Sequence, residues 1–428
     1  MSEKRVLILS YYFPPYEFTG GQRAYSWYKH LKKFDISPVI ITRHWDTIKK
    51  QYDNIKPSSK QEVEILNENY GTVIRIPFNP NRSDRYVVKH LSKDSLIAKI
   101  LSLFNGTRYW NFSFDKTANI FYAADEYLKI NKCDLIIASG SPFILFRYAH
   151  ILSKKNKIPW IADYRDCWSD NTSLSYAGFL RKFLFKVVVK NVELKYVSTA
   201  SVITTVVEPY REKLHVLFPD KTIEVIHNGY NHENLIAAKN IVQESENFTI
   251  AYAGTIYPYQ KLEVFLEGLV LFIKQLNCSD VRVIFYGLNY DKKQLKRLTS
   301  YSKHLDNYIV ATDKCAKREL FKQIAKAHLL VLLSDKKTNT GASKIFDYLA
   351  LNRKIMLVPD DNSVMSKIID EHHAGVKCST PDEVKNSLVQ FYNEFKTQRR
   401  ISHQTKNIEK YQWQNQVELM SKIILNVN

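Results

Sequence analysis

The sequence predicts an α/β protein made of two doubly wound, Rossmann-like domains with parallel sheets. Three observations lead there. Its 428 residues are enough for two domains. The order strand, loop, helix, strand begins at Val6 and begins again at Phe248. Polar segments follow the strand runs, at the ends where parallel sheets bind ligands.

In the first half, Val6-Leu7-Ile8-Leu9 is an unbroken apolar run, the pattern of a strand buried on both faces. Tyr11 to Phe18, with Pro14-Pro15, is a loop. Thr19-Gly20-Gly21 opens a helix on which Ala24, Trp27, Tyr28 and Leu31 recur at helical spacing, and Val39-Ile40-Ile41 is the next strand. Gly-x-Gly-x-x-Gly is absent, so this is no dinucleotide fingerprint. Gly20 and Gly21 suit either close approach of a ligand to the backbone or a tight turn. Residues 46–115 are weakly patterned apart from a strand at 72–76.

Asp134 to Ala138 is a buried strand ending in Ser139-Gly140-Ser141-Pro142, followed by a helix over 146–154. Trp160-Ile161-Ala162 is another strand and ends in Asp163-Tyr164-Arg165-Asp166-Cys167-Trp168. Two readings stand for the last segment. Asp163, Arg165 and Asp166 form a structural ion-pair cluster, or Asp166 polarises an acceptor hydroxyl while Arg165 holds an anionic group. Across 178–196, apolar Leu180, Phe183, Leu184, Val187, Val188 and Val192 interleave with Arg181, Lys182, Lys186, Lys190 and Lys195. That is a basic amphipathic helix, whose apolar side packs on a sheet or enters a lipid interface. A strand at 201–205, a helix start at Glu208-Pro209-Tyr210 and a strand and turn at 224–230 complete this half.

A polar linker lies within 232–246. Phe248 to Thr255 is a strand ending in a glycine, and Lys261 opens a helix with Leu262, Phe265, Leu266 and Leu269, an arrangement suited to a phosphate. Strands follow at 281–287, 308–312 and 329–333. After the last comes the loop 334–340, then Gly341-Ala342-Ser343-Lys344-Ile345-Phe346-Asp347-Tyr348-Leu349-Ala350, with helical spacing at Ile345, Phe346, Leu349 and Ala350. Backbone N–H groups at Gly341 and Ser343 and the charge of Lys344 favour an anion at this helix start. Lysine in a first turn is unfavourable for the helix itself, and an anion relieves that. Asp347 lies one turn on, on the same side. An ordinary β–α junction with a solvated lysine is the other reading. A strand at 354–359 and a helical tail at 404–425 end the chain.

Ser343 to Ala350 resembles the donor-site helix of GT-B glycosyltransferases, in the retaining family-4-type group that uses nucleotide sugars to make surface polysaccharides. Tyr-Tyr-Phe-Pro-Pro…Gly-Gly, Ser-Gly-Ser-Pro, Asp-Tyr-Arg-Asp-x-Trp and Val-Ile-His-Asn-Gly resemble further segments of that group. The resemblance implies GT-B architecture, two Rossmann-like domains facing across a cleft. It implies an acceptor domain over 1–236, a donor domain over 245–403, and a terminal helix within 404–428 that crosses back. Donor binding falls to Gly20, Gly21, Gly254, Thr255, Lys261, Gly341, Ser343, Lys344 and Asp347, with the diphosphate at the helix start and the ribose at Asp347. Asp166 and Arg165 take the acceptor side. Two positions depart from the pattern. Thr255 stands where an arginine is frequent, and Asn339 stands where many relatives have a glutamate near the sugar, with Asp335 close by in sequence.

The formal net charge of +19 favours an anionic partner: nucleic acid, a phosphorylated small molecule or an anionic membrane. Five cysteines, none at metal or redox spacing, fit a reduced cytoplasmic protein without disulfides. The start Met-Ser-Glu-Lys-Arg is no signal peptide, and no apolar run approaches the roughly 20 residues of a spanning helix. No Asp-x-Asp occurs. The expectation is a metal-independent, cofactor-free glycosyltransferase. It moves a sugar from a nucleotide-diphosphate sugar to a carbohydrate or lipid-linked acceptor, and lies against the inner face of the cell membrane through Arg181, Lys182, Lys186 and Lys190. A nucleotide-sugar epimerase of the same fold is one rival. A basic nucleic-acid-binding protein is another, disfavoured because the lysines are dispersed and no nucleic-acid motif is present.

Overall fold

The computed structural model describes residues 3–16, 19–47, 52–90, 115–170, 179–301, 305–335 and 343–427, together with Ile97, Leu101 and Phe112. Contacts divide the chain into two compact units, Met1–His227 with Gln414–Asn428, and Asn228–Trp413.

The first unit runs β1 (Lys4–Ser10), α1 (Thr19–His30), β2 (Ile36–Arg43), β3 (Glu64–Glu68), β4 (Gly71–Ile76), α2 (Arg82–His90), α3 (Ala118–Ile130), β5 (Leu135–Gly140), α4 (Ile144–Asn156), β6 (Trp160–Tyr164), α5 (Phe179–Val197), β7 (Val202–Thr205), α6 (Glu208–Leu217) and β8 (Ile223–Val225). Its sheet has the order β3-β4-β2-β1-β5-β6-β7-β8, parallel except for the β3–β4 pair. Successive strand residues point to opposite faces, so each strand builds two cores. Val6, Ile8, Ile40 and Ile137 meet Trp27, Tyr28 and Leu31 of the α1 side. Leu7, Leu9, Ile41 and Ile136 meet Ile120, Phe146, Tyr148 and Leu152 of α3 and α4. Continuous apolar runs follow from burial on both faces.

The second unit runs α7 (His232–Ile236), β9 (Phe248–Ala253), α8 (Leu262–Leu276), β10 (Val281–Tyr286), α9 (Lys292–Thr299), β11 (Ile309–Ala311), α10 (Lys317–Ile324), β12 (Leu329–Leu333), α11 (Lys344–Ala350), β13 (Lys354–Val358), α12 (Val364–Glu371), β14 (Gly375–Lys377) and α13 (Pro381–Gln398). Its sheet, β11-β10-β9-β12-β13-β14, is parallel throughout. The chain then returns to the first unit as α14 (Trp413–Asn426). There Val417, Met420 and Ile424 join the core beneath α1, and Lys4 Nζ donates to the carbonyls of Ile424 at 3.0 Å and Val427 at 2.7 Å.

Some elements differ from expectation. The short edge strands β3 and β14 have no clear apolar signal, and neither is expected from pattern. Residues 404–412 are not an α-helix. Tyr230 N donates to Tyr411 O at 3.0 Å and Trp413 N to Tyr230 O at 3.2 Å, so pairing with a distant segment overrides local helical tendency. Tyr230 and Ala238 lie in the core of the second unit, packed with Phe321 and Leu330.

Candidate active site

In each sheet the strand order reverses once, and that is where open parallel sheets leave a crevice at their carboxyl ends. In the second unit the reversal falls between β9 and β12. The loop after β9 carries Gly254, Thr255 and Lys261, and the segment after β12 leads to Ser343, Lys344 and Asp347. The two loops are joined by Lys261 N, which donates to Ser334 O at 3.2 Å.

Lys344 lies at this reversal and reaches the end of β9. Its Nζ donates to the hydroxyl of Tyr252 at 2.7 Å and to the carbonyl of Thr255 at 3.0 Å, and it lies 4.3 Å from the Tyr252 ring centroid. Desolvation alone pushes its pKa down to about 7, with no carboxylate among the described residues offsetting it. Its Nζ is thus engaged by two protein oxygens and not by solvent alone. Gly254 sits at φ +91, and a Cβ there would come within 3.4 Å of Lys344 Nζ. Glycine supplies both the left-handed backbone and the room beside the ammonium. Helix α11 has only seven residues, so its macrodipole is small beside the full charge of an ammonium. Ser343 occupies the N-cap in helical conformation, with no side-chain capping bond. Ile345, Phe346, Tyr348 and Leu349 are buried and hold the helix, and the Tyr348 hydroxyl accepts from Ala253 N at 2.9 Å, pinning it to the end of β9.

Asp347 pairs with α10, where Lys317 Nζ lies 3.1 Å from its Oδ2. Its Oδ1 is buried without a hydrogen-bond partner among the described residues. Burial raises the carboxyl above the ordinary aspartate range and Lys317 opposes that rise. A buried carboxylate oxygen left unpaired is a site for a hydroxyl donor. Lys261 caps α8 with its side chain exposed. Gly341 and Asn339 lie outside the described residues. Tyr252 and Lys317 carry no motif that sequence pattern alone exposes; only the fold brings them to Lys344 and Asp347.

In the first unit the reversal falls between β1 and β5. Arg165 bridges it. Its Nη1 donates to Gly20 O at 2.5 Å, its Nε to Gly140 O at 2.6 Å and its Nη2 to Ser141 O at 2.6 Å. A Cβ on Gly20 would lie 2.9 Å from Arg165 Nη1 and 3.3 Å from the Tyr12 ring, so glycine there admits the protein's own guanidinium. Gly21 is buried behind it, against Tyr16 O and Phe13. The expected ion-pair cluster of Asp163, Arg165 and Asp166 takes another form. Asp163 pairs with Arg23, through Nη2 at 2.7 Å and Nε at 3.0 Å, and also accepts from Ser139 and Thr204 hydroxyls at 2.9 and 2.8 Å. Arg23 and Asp163 are 1% and 0% exposed, a structural pair in the core. Asp166 is exposed, yet crowded by enough protein that desolvation lifts its carboxyl above the usual range, with Arg165 opposing. A solvent-reachable carboxylate with a raised pKa suits proton handling.

In α5 the buried line is Val189, Val192 and Tyr196, while Val187 and Val188 are 45% and 43% exposed and Lys190 is exposed. Of the two readings for Val187 and Val188, packing on the sheet does not hold, since both face outward; buried Glu193 turns inward and accepts from the Tyr164 hydroxyl and Ser169 N, both at 2.9 Å. The side chains of Arg181, Lys182 and Lys186 lie outside those described. Among the described residues no helix is long and apolar enough to cross a membrane, and no group of His, Cys, Asp and Glu is placed to hold a metal ion. A trough of about 410 Å³ over β10 and β11 is lined by Arg282, Ile284, Tyr286, Thr312 and Glu319, and none of the expected site residues borders it.

No protein-family model matches the chain, and no curated protein matches its sequence. Solved structures do match its fold. A sucrose-phosphate synthase from Thermosynechococcus elongatus aligns over 99% of this chain and 98% of its own, with TM-score 0.63 and 12% identity. A trehalose-6-phosphate protein from E. coli bound with UDP-2-fluoro glucose aligns over 99% and 100%, with TM-score 0.62 and 10% identity. A structure described as a UDP-N-acetylglucosamine 2-epimerase from Listeria monocytogenes aligns over 99% and 96%, with TM-score 0.53 and 8% identity. The chain has the GT-B fold, two Rossmann-like units with parallel-dominated sheets.

Proposed function

We propose that this chain is a glycosyltransferase that moves a sugar from a nucleotide-diphosphate sugar to a carbohydrate or lipid-linked acceptor, in the synthesis of a cell-surface polysaccharide. The observation that carries the reading is Lys344, a desolvated ammonium without a carboxylate among the described residues, beside the open backbone of Gly254. Such a group is the complement of a diphosphate. The E. coli neighbour is bound with UDP-2-fluoro glucose, which supports a donor of that class.

In this reading the bond between the sugar's anomeric carbon and the β-phosphate oxygen breaks, the bonding pair leaves on the diphosphate, and an acceptor hydroxyl oxygen bonds that carbon and passes its proton to the leaving diphosphate. Lys344 neutralises the charge that grows on the leaving diphosphate. Asp347 Oδ1 accepts a ribose hydroxyl, which fixes the nucleoside and orients the reacting bond. Asp166 polarises the acceptor hydroxyl, and Arg165 holds the loops around it. Retention of configuration, and chemistry without a metal, are what the family resemblance implies. Attachment to an anionic membrane through the basic helix α5 would bring the protein to a lipid-linked acceptor.

A thermal shift with UDP, GDP and a short DNA duplex tests the class. Stabilisation by one nucleoside diphosphate is the expected result. Stabilisation by DNA alone would replace this reading with the nucleic-acid one. Incubation with a panel of nucleotide sugars, with and without membrane extract, separates transferase from epimerase. A transferase yields a new glycoside only with extract, whereas an epimerase converts the nucleotide sugar alone.

A further inference from the structure

The loop that carries Gly254 and Thr255 ends in Tyr257-Pro258-Tyr259-Gln260, a segment that the donor-site assignment leaves unused. It is a tight turn closed by Gln260 N donating to Tyr257 O at 3.0 Å, with proline at the second position, where its fixed φ favours the turn. Gln260 is 7% exposed and clamps the turn from inside. Its Oε1 accepts from Tyr257 N at 2.9 Å and its Nε2 donates to Leu333 O, at the end of β12, at 2.7 Å. Ile256, on the other side, is fully buried. Between these anchors the Tyr257 and Tyr259 rings stack at 5.4 Å with only 3° between their planes, and Tyr257 is 48% exposed. Burial holds the phenol of Tyr252, the hydroxyl partner of Lys344, well above its ordinary range, and the neighbouring phenols of Tyr348, Tyr257 and Tyr259 add to that.

Resting on the glycosyltransferase reading, we infer that Tyr257 and Tyr259 form a stacking platform for a pyranose ring next to the diphosphate site. A flat aromatic pair has a negative face that attracts the C–H bonds on the apolar side of a sugar, while the phenol rims meet its hydroxyls. The clamped turn holds the rings before any ligand arrives, so little ordering cost is left for binding. The platform is joined to Lys344 through Thr255 and Tyr252, so a sugar on or beside the β-phosphate falls to it. The pyranose belongs either to the donor or to the acceptor.

The experiment compares the parent protein with Tyr257→Ala and Tyr257→Phe. Calorimetry measures UDP and UDP-glucose, with GDP and GDP-mannose in a second set. Saturation-transfer NMR measures methyl α-D-glucopyranoside in the presence of the nucleoside diphosphate that binds. A donor platform predicts that Tyr257→Ala keeps nucleoside-diphosphate affinity but weakens the nucleotide sugar about 3- to 10-fold. An acceptor platform predicts instead loss of the methyl glucoside signal. Tyr257→Phe keeps the stacking and loses only the phenol's contact with the sugar hydroxyls, so it should stay closer to the parent than Tyr257→Ala in either case. If the nucleoside diphosphate binds and neither arm changes in Tyr257→Ala, the platform is wrong while the donor site stands. A fall in UDP affinity with no added loss for UDP-glucose would mean base stacking and also overturn it. If the parent binds no nucleotide or nucleotide sugar, the glycosyltransferase reading and the platform fall together.

Discussion

Lys344 Nζ donates to the Tyr252 hydroxyl at 2.7 Å, across 92 residues of sequence. The contact holds a cation among phenol and carbonyl oxygens, with no carboxylate offsetting its charge among the described residues, which favours an anionic ligand.

The first prediction concerns that ammonium. Lys344→Met should weaken nucleoside-diphosphate binding by about 1.5–3 kcal/mol, the range of a charge-assisted hydrogen bond, and should not lower the melting temperature. Unchanged affinity in calorimetry would end the assignment of Lys344 to the diphosphate.

A pH dependence follows from the same residue. Its pKa is about 7 when folded against the ordinary 10.5, so between these values the unfolded chain binds more protons. Stability therefore rises with pH across that window, and the cost of the buried charge is present in full below pH 7. A bound diphosphate restores the charge, so binding takes up a proton above pH 7. Affinity should then fall by up to about tenfold per pH unit above that point. Denaturant unfolding and affinity, each titrated against pH with Lys344→Met as a control lacking the slope, check the two signs.

Asp163 and Asp166 should part company on mutation. Asp163→Asn leaves Arg23 charged and buried without its partner, and should cost about 3–5 kcal/mol of stability in denaturant unfolding. Asp166→Asn removes an exposed carboxylate, so it should unfold like the parent and bind nucleoside diphosphate equally well, while turnover with acceptor falls. Equal turnover at saturating substrates would take Asp166 out of the mechanism.

The membrane prediction rests on α5, where Lys190, Val187 and Val188 are exposed. Each basic residue near an anionic surface contributes about 1 kcal/mol. The parent should float with anionic vesicles at low salt and come off at high salt. Replacing Arg181, Lys182, Lys186 and Lys190 by glutamine should abolish flotation. Undiminished flotation of that variant, or none by the parent, would reject the helix as the anchor.

The sequence by itself determined the α/β class, the paired Rossmann-like units and most strands, because a strand buried on both faces must read as an unbroken apolar run. It also marked Gly254, Lys344 and Asp347, since a residue type and its place after a strand are local facts. The edge strands β3 and β14 escaped, being short and only half covered. Tertiary structure alone decided the partners. Asp163 chose Arg23, 140 residues away, over its neighbour Arg165. Arg165 became the tie between Gly20 and Gly140. Tyr252 and Lys317 came to Lys344 and Asp347 through the order in which parallel strands are laid down. On α5, Val189, Val192 and Tyr196 face inward together with Glu193, which meets Tyr164 and Ser169 there, while Val187 and Val188 face out. Periodicity sets the spacing of a stripe, but which side of it is covered depends on the elements packed against the helix, and those are supplied by distant parts of the chain.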